Sequence, residues 1–182
     1  MSALTLTNST SYIAQYVIHR GGLALARLPG LTPGATLSVP EAETFEITAS
    51  TILEGNTYTS APIAVSGATR FLAQVKQQRA QQTYEFEVVT TPSSVANQMQ
   101  FEKTSLGPVT FQITHQGVPV QDVVVPDSFV QVTVEISDVY SVYAVINGIT
   151  TDSVTTSNPN ATVTAVSEAT DMEFGYFTLV IS

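Results

Sequence analysis

Apolar and polar residues alternate along much of the chain. Residues 84–89 (YEFEVV) set Tyr84, Phe86 and Val88 on one face and Glu85 and Glu87 on the other. Residues 130–136 (VQVTVEI) do likewise, with Val130, Val132, Val134 and Ile136 against Gln131, Thr133 and Glu135. A period of two belongs to a strand with one buried face and predicts antiparallel strands in half-solvated sheets. Within YAVINGITT the pair Asn147-Gly148 separates two apolar runs. Both residue types tolerate positive φ, so a two-residue hairpin turn is expected there. Residues 69–82 are rich in helix formers, but Phe71, Leu72 and Val75 would give a helix no continuous apolar face. Phe71, Ala73 and Val75 alternate instead as a strand leading into a polar loop. The expected fold class is all-β.

The pattern recurs. QYVIHRG at 15–21 matches FQITHQG at 111–117, pairing His19 with His115 at a separation of 96. Further on, Pro33 pairs with Pro126, Leu37 with Val130, Val39 with Val132, Leu53 with Ile146 and Gly55 with Gly148 at 93, and Phe86 with Phe177 and Val89 with Val180 at 91. A separation that falls stepwise fits a second copy with shortened loops. The expected organisation is two tandem antiparallel β-sandwich domains of the Ig-like, Greek-key type related by internal duplication. They would span residues 1–92 and 98–182, with a linker at 93–97. The alternative is one larger sandwich to which both halves contribute.

Composition narrows the classes of function. Charged residues make up 12% of the chain, so Ser, Thr, Asn and Gln must supply much of the surface. A net charge of −9, with the six Lys and Arg spread out, leaves no basic stripe for nucleic acid or an anionic membrane. The absence of cysteine excludes disulfides and thiolate ligands or nucleophiles. The first ten residues lack the basic segment and apolar core of a signal peptide, and no apolar run has the roughly 18 residues of a membrane helix. A soluble chain is expected. The glycosylation patterns at Asn8 and Asn160 are read as turn chemistry.

Catalytic groupings are missing. On the repeat, His19 and His115 are both expected to close an apolar row at the rim of a core, just before a turn glycine. No G-x-S-x-G elbow, H-E-x-x-H pair or phosphate-cradling glycine loop accompanies them. Neither an enzyme nor a cofactor is expected. Of the acidic clusters, Glu41, Glu43 and Glu46 read as a solvated group, and Glu168, Asp171 and Glu173 form a weak calcium candidate because oxygen ligands on a loop suit that ion.

Apolar character on two faces is the more informative signal. In DVYSVYAVI, Tyr140, Val142, Ala144 and Ile146 share one face while Val139, Tyr143 and Val145 share the other; the C-terminal FGYFTLVIS behaves similarly. Tyr140, Val142, Tyr143, Tyr176 and Phe177 are therefore candidate interaction residues. The expected function is that of a non-catalytic structural or assembly protein, such as a virion, appendage, coat or inclusion component. Its partners would be copies of itself or other subunits, with SALTLT at the N-terminus a candidate donated strand. A lectin-like module binding glycan through Tyr12, Asn56, Tyr58, Asn158 and Asn160 is the alternative, weakened by the lack of Trp. A pore-forming or toxin component, inserting residues 150–167 as a hairpin, is a third.

Overall fold

The computed structural model of the chain describes residues 2–41, 44–81, 83–167 and 176–182. These form strands without a helix. In chain order the strands are β1 (Ala3–Asn8), β2 (Ala14–Arg20), β3 (Leu23–Arg27), β4 (Thr36–Pro40), β5 (Phe45–Leu53), β6 (Asn56–Thr59), β7 (Ile63–Val65), β8 (Thr69–Gln78) and β9 (Thr83–Pro92). They continue as β10 (Gln98–Lys103), β11 (Val109–His115), β12 (Val118–Val125), β13 (Val132–Glu135), β14 (Tyr140–Ile146), β15 (Ile149–Thr150), β16 (Val154–Thr156), β17 (Thr162–Ser167) and β18 (Phe177–Ile181). The expected strand at 69–78 is present, and Asn147 and Gly148 turn between β14 and β15 with φ of 50° and 77°.

The compact units are cut differently from the expected halves 1–92 and 98–182. One comprises Met1–Ala42 with Ser137–Ser182; the other is Glu43–Ile136. Cross-strand pairing is the reason. In the first unit β1 lies between β4 and β17 in the order β18-β17-β1-β4, while β2 joins β3 to β14 in the order β15-β14-β2-β3, with β16 also on β14. In the second unit the orders are β9-β8-β10-β13 and β6-β5-β11-β12, with β7 also on β5. The first four strands of each half thus complete their sheets with the last five of the other. Strand for strand the two units share one plan, including its parallel pair, β1 with β17 and β8 with β10.

Local details follow the same plan. Opposite Ile18 and His19 the pairing steps from Ala26 to Ala24 and leaves Leu25 as a buried bulge; opposite Ile113 and Thr114 it steps from Gln121 to Pro119 and leaves Val120. The Ser60 hydroxyl accepts the Ala49 amide at 3.0 Å, as the Thr151 hydroxyl accepts that of Ala144. Ile18 and Ile113, Leu25 and Val120, and Ala49 and Ala144 each stand 95 apart, not 96 or 93. The one-residue difference corrects the reading of the histidines, because a single step moves a strand residue to the opposite face. His115 is inward and 8% exposed. His19 faces out, and its counterpart is Thr114.

The two inner faces meet in each unit. In the second, Phe71 and Phe101 stack at 5.0 Å and Phe111 of the facing sheet lies 5.1 Å from Phe101, all fully buried. Burying one such side chain contributes about 2–3 kcal/mol. The first unit has Leu6, Val163 and Tyr16 at these places, also without exposed surface. The Tyr16 hydroxyl donates to Thr7 O at 2.7 Å and accepts the Ala165 amide at 3.1 Å, crossing from sheet to sheet. Burial pushes its pKa up to about 12.

Two further expectations are corrected by topology. The SALTLT strand is β1, central in its sheet with Leu4 and Leu6 buried, so it is not free to be given to a neighbour. Residues 150–167 do not form a hairpin: β16 pairs with β14, whereas β17 pairs with β1 and β18. The run crosses between sheets because its Thr and Val residues must supply inner faces to both.

Candidate interaction surfaces

Of the five interaction candidates, Tyr140, Val142 and Phe177 are core residues. Their side chains share the inner face that alternation gives them, so they are withdrawn as contact residues. Tyr176 is 58% exposed and stands just before the edge strand β18. Tyr143 is on the outer face of β14, half-buried and opposite Val17 of β2. The His19 ring stacks on it, with centroids 6.1 Å apart and planes inclined by 18°. Burial, and then the nearby Arg27 guanidinium, lower the His19 pKa. Val145 extends the row along the same face. Val17, His19, Tyr143 and Val145 therefore make a half-buried apolar and aromatic strip, bordered by Gln15 opposite Val145, Ser141 opposite His19 and Arg27 opposite Val17.

The second unit presents polar groups at the four corresponding places. Gln112 pairs with Thr48 where Val17 pairs with Tyr143, Ser50 stands for Val145 and Thr114 for His19. A solvated outer face needs no apolar side chains. The strip is thus a departure within one plan.

Where the chain leaves and re-enters the first unit, Arg20 gathers both segments. Its Nε donates to Ser137 O at 2.7 Å, one terminal nitrogen pairs with Asp138 at 2.8 Å and the other lies 3.7 Å from Glu41. The guanidinium carbon is 6.0 Å from the Tyr140 ring centre, and the Tyr140 hydroxyl donates to Glu41 at 3.1 Å. Glu41 is therefore held and not free in solvent, whereas Glu46 is exposed on β5 as expected and Glu43 lies outside the described residues. At the place of Arg20 the second unit has His115, whose ring is 5.5 Å from that of Phe45.

A groove of about 440 Å³ opens at one end of the second unit. Leu53 and Ile52 of β5, Val75 and Gln77 of β8, Tyr84 of β9 and the loop from Thr104 to Gly107 line it, with Glu54 at the β5–β6 turn. The Tyr84 hydroxyl donates to Glu54 at 3.0 Å, and this bond raises its pKa. Leu106 is fully exposed, as is Phe129 on the loop before β13. Both loops are tied to one carbonyl: Ser105 O accepts from the buried Lys103 Nζ at 2.9 Å and from the Ser128 hydroxyl at 3.1 Å.

The glycan candidates are divided between the units. Asn56 and Tyr58 belong to β6, where Tyr58 meets Tyr84 edge-on at 6.3 Å. Tyr12, Asn158 and Asn160 belong to the first unit; Tyr12 packs edge-on against Phe177 at 5.7 Å, and Asn160 accepts the Ala3 amide. Asn8 is fully buried, with its amide donating to Tyr12 O and Leu31 O, which removes it as a glycosylation acceptor. Glu168, Asp171 and Glu173 lie outside the described residues. Among the described residues no three His, Asp or Glu are placed to hold a metal. No helix is long and apolar enough to cross a membrane. Sequence reasoning missed both the Arg20 cluster and the groove. The first had no signal, because Ser137, Asp138 and Tyr140 reach Arg20 from over a hundred residues away; the second had one, a glycine at 107 where the other half has Tyr12. Comparison with protein-family models, with curated proteins and with solved structures finds no match.

Proposed function

We propose that the chain is a non-catalytic structural subunit that assembles with copies of itself, as a component of a virion, an appendage, a coat or an inclusion. The observation that supports this reading is the strip of Val17, His19, Tyr143 and Val145, set against Gln112, Thr114, Thr48 and Ser50 on the corresponding face. Water tolerates the polar set without cost, whereas covering the apolar set in a second copy is favourable. The net charge of −9 works against association of two copies in general, so the apolar strip has to outweigh it. We further propose that the halves are copies of one nine-stranded segment, and that each unit is an Ig-like sandwich made by exchange of strands between the copies.

Light scattering after size exclusion, over a range of concentrations, tests the assembly. The wild-type chain is expected to form discrete oligomers or growing polymers. The variant carrying Val17→Gln and Tyr143→Thr, residues that the second unit already uses on the same face, is expected to remain monomeric. A wild-type monomer at every concentration would sink the reading.

A further inference from the structure

We propose that the groove at the end of the second unit receives a tyrosine or phenylalanine side chain, flanked by lysine or arginine, from a partner chain. This inference does not rest on self-assembly through the strip. It starts from a difference between the units. Gly107 lines the groove, and its counterpart 95 positions earlier is Tyr12. In the first unit the Tyr12 ring packs edge-on against Phe177. The counterpart of Phe177 is Phe86, which lies opposite the groove residue Val75 on β8. One plan therefore carries an aromatic side chain at this position in one unit and none in the other, where the Ile52 carbonyl, 2.9 Å from a Cβ built on Gly107, leaves no room for one and the groove beside it is free for a ring from outside. A volume of about 440 Å³ is ample for a tyrosine side chain and lies within the range of ligand sites.

The walls specify the rest. Leu53, Val75 and Leu106 are apolar, and the Tyr84 ring offers an edge or a face to an entering aromatic group. Glu54 is the single charged residue of the lining, and its carboxylate, already accepting from Tyr84, retains lone pairs for a second donor. A flanking ammonium or guanidinium meets that carboxylate and is also drawn by the chain's net charge of −9. That same charge disfavours a second copy as occupant. Leu106 needs no ordering step to cover the ring, because Lys103 and Ser128 already fix its loop through Ser105 O.

The test is titration of the intact chain with capped tripeptides, followed residue by residue in amide NMR spectra. Lys-Tyr-Lys is expected to shift Leu106, Gly107 and Tyr84 with a Kd of about 1 mM, as suits so small a ligand. Lys-Ala-Lys should bind at least about tenfold more weakly and Glu-Tyr-Glu about fivefold more weakly. Glu54→Gln keeps an acceptor for Tyr84 and should bring Lys-Tyr-Lys and Glu-Tyr-Glu together. Leu106→Ser, at a fully exposed position and with the residue that the first half has at Ser11, should fold normally and weaken Lys-Tyr-Lys severalfold. Equal binding of Lys-Tyr-Lys and Lys-Ala-Lys would overturn the proposal, as would shifts centred elsewhere. Changes at Leu106 and Gly107 on concentrating the protein alone would identify a second copy as the occupant and overturn it too.

Discussion

The imidazole of His19 lies flat against the ring of Tyr143, 6.1 Å away, on a face where the other unit has threonines. The pair gives that face a pH dependence. Burial and Arg27 lower the folded-state pKa of His19 below 6.5. Above 6.5 the ring is neutral in folded and unfolded chains, and the stability that it contributes is complete. As the pH falls, the unfolded chain takes the proton first, and that stability is lost as pH passes through the folded value. The melting temperature of the wild-type chain should therefore fall more steeply below 6.5 than that of His19→Gln, as calorimetry at a series of pH values will read. Parallel curves for the two proteins would refute the assignment.

Arg20 makes two ion pairs, yet they are not what should matter most. The Asp138 side chain is 90% exposed, so its pair with Arg20 contributes little. Asp138→Ala should cost less than about 0.5 kcal/mol in urea unfolding. The Nε bond to Ser137 O and the packing over Tyr140 are better shielded, and Arg20→Ala should cost about 2 kcal/mol. Arg20→Lys, without the planar fork, should recover less than half of that loss.

Tyr16→Phe tests the link across the first unit's core. It leaves Thr7 O and the Ala165 amide without their shared partner in a buried site, at a cost of about 2 kcal/mol. Phe111 stands at the corresponding place in the second unit, so the variant should fold. Because the folded pKa of Tyr16 is raised to about 12, its contribution is complete below 10.0 and is lost as pH rises through the folded value. Alkaline denaturation curves of the wild type and Tyr16→Phe should therefore converge.

Asn8→Ala should be among the more damaging single changes. Its carboxamide donates to Tyr12 O and Leu31 O at 2.7 Å each and accepts from the Thr10 amide and hydroxyl at 3.0 and 2.8 Å. Losing these bonds in a fully buried position should cost about 3 kcal/mol in a chemical denaturation series. Asn8→Asp should be at least as harmful, since a carboxylate cannot donate to the two carbonyls.

Alternation made the strands legible, because one buried face imposes a period of two wherever it occurs. Phe71, Ala73 and Val75 in β8 are a case in which that period outweighed helix-forming composition. The pairing of strands was hidden. Thr5 is bonded beside Thr162 and Tyr16 beside Ala144, and nothing in a local pattern says which distant strand completes a sheet. The register of the repeat failed by one residue at the histidines, since two similar heptapeptides align equally well by composition while strand faces differ at each step. Tyr143 was legible as a residue of the outer face because it lay on the second apolar face of its strand. Tyr140 and Val142, on the first face, were its foundation.

The pairing of β1 with β17 also sets an order of events during synthesis. Residues 43–136 can close their sheets once β13 has emerged from the ribosome. The four strands before them cannot, because Thr5 must wait for Thr162 and Ala14 for Ile146. A nascent chain therefore carries one finished body with an unfinished N-terminal portion, whose sheet edges stay unpaired throughout the delay. Until the last strands arrive, those edges are the part of the chain most open to pairing with another chain.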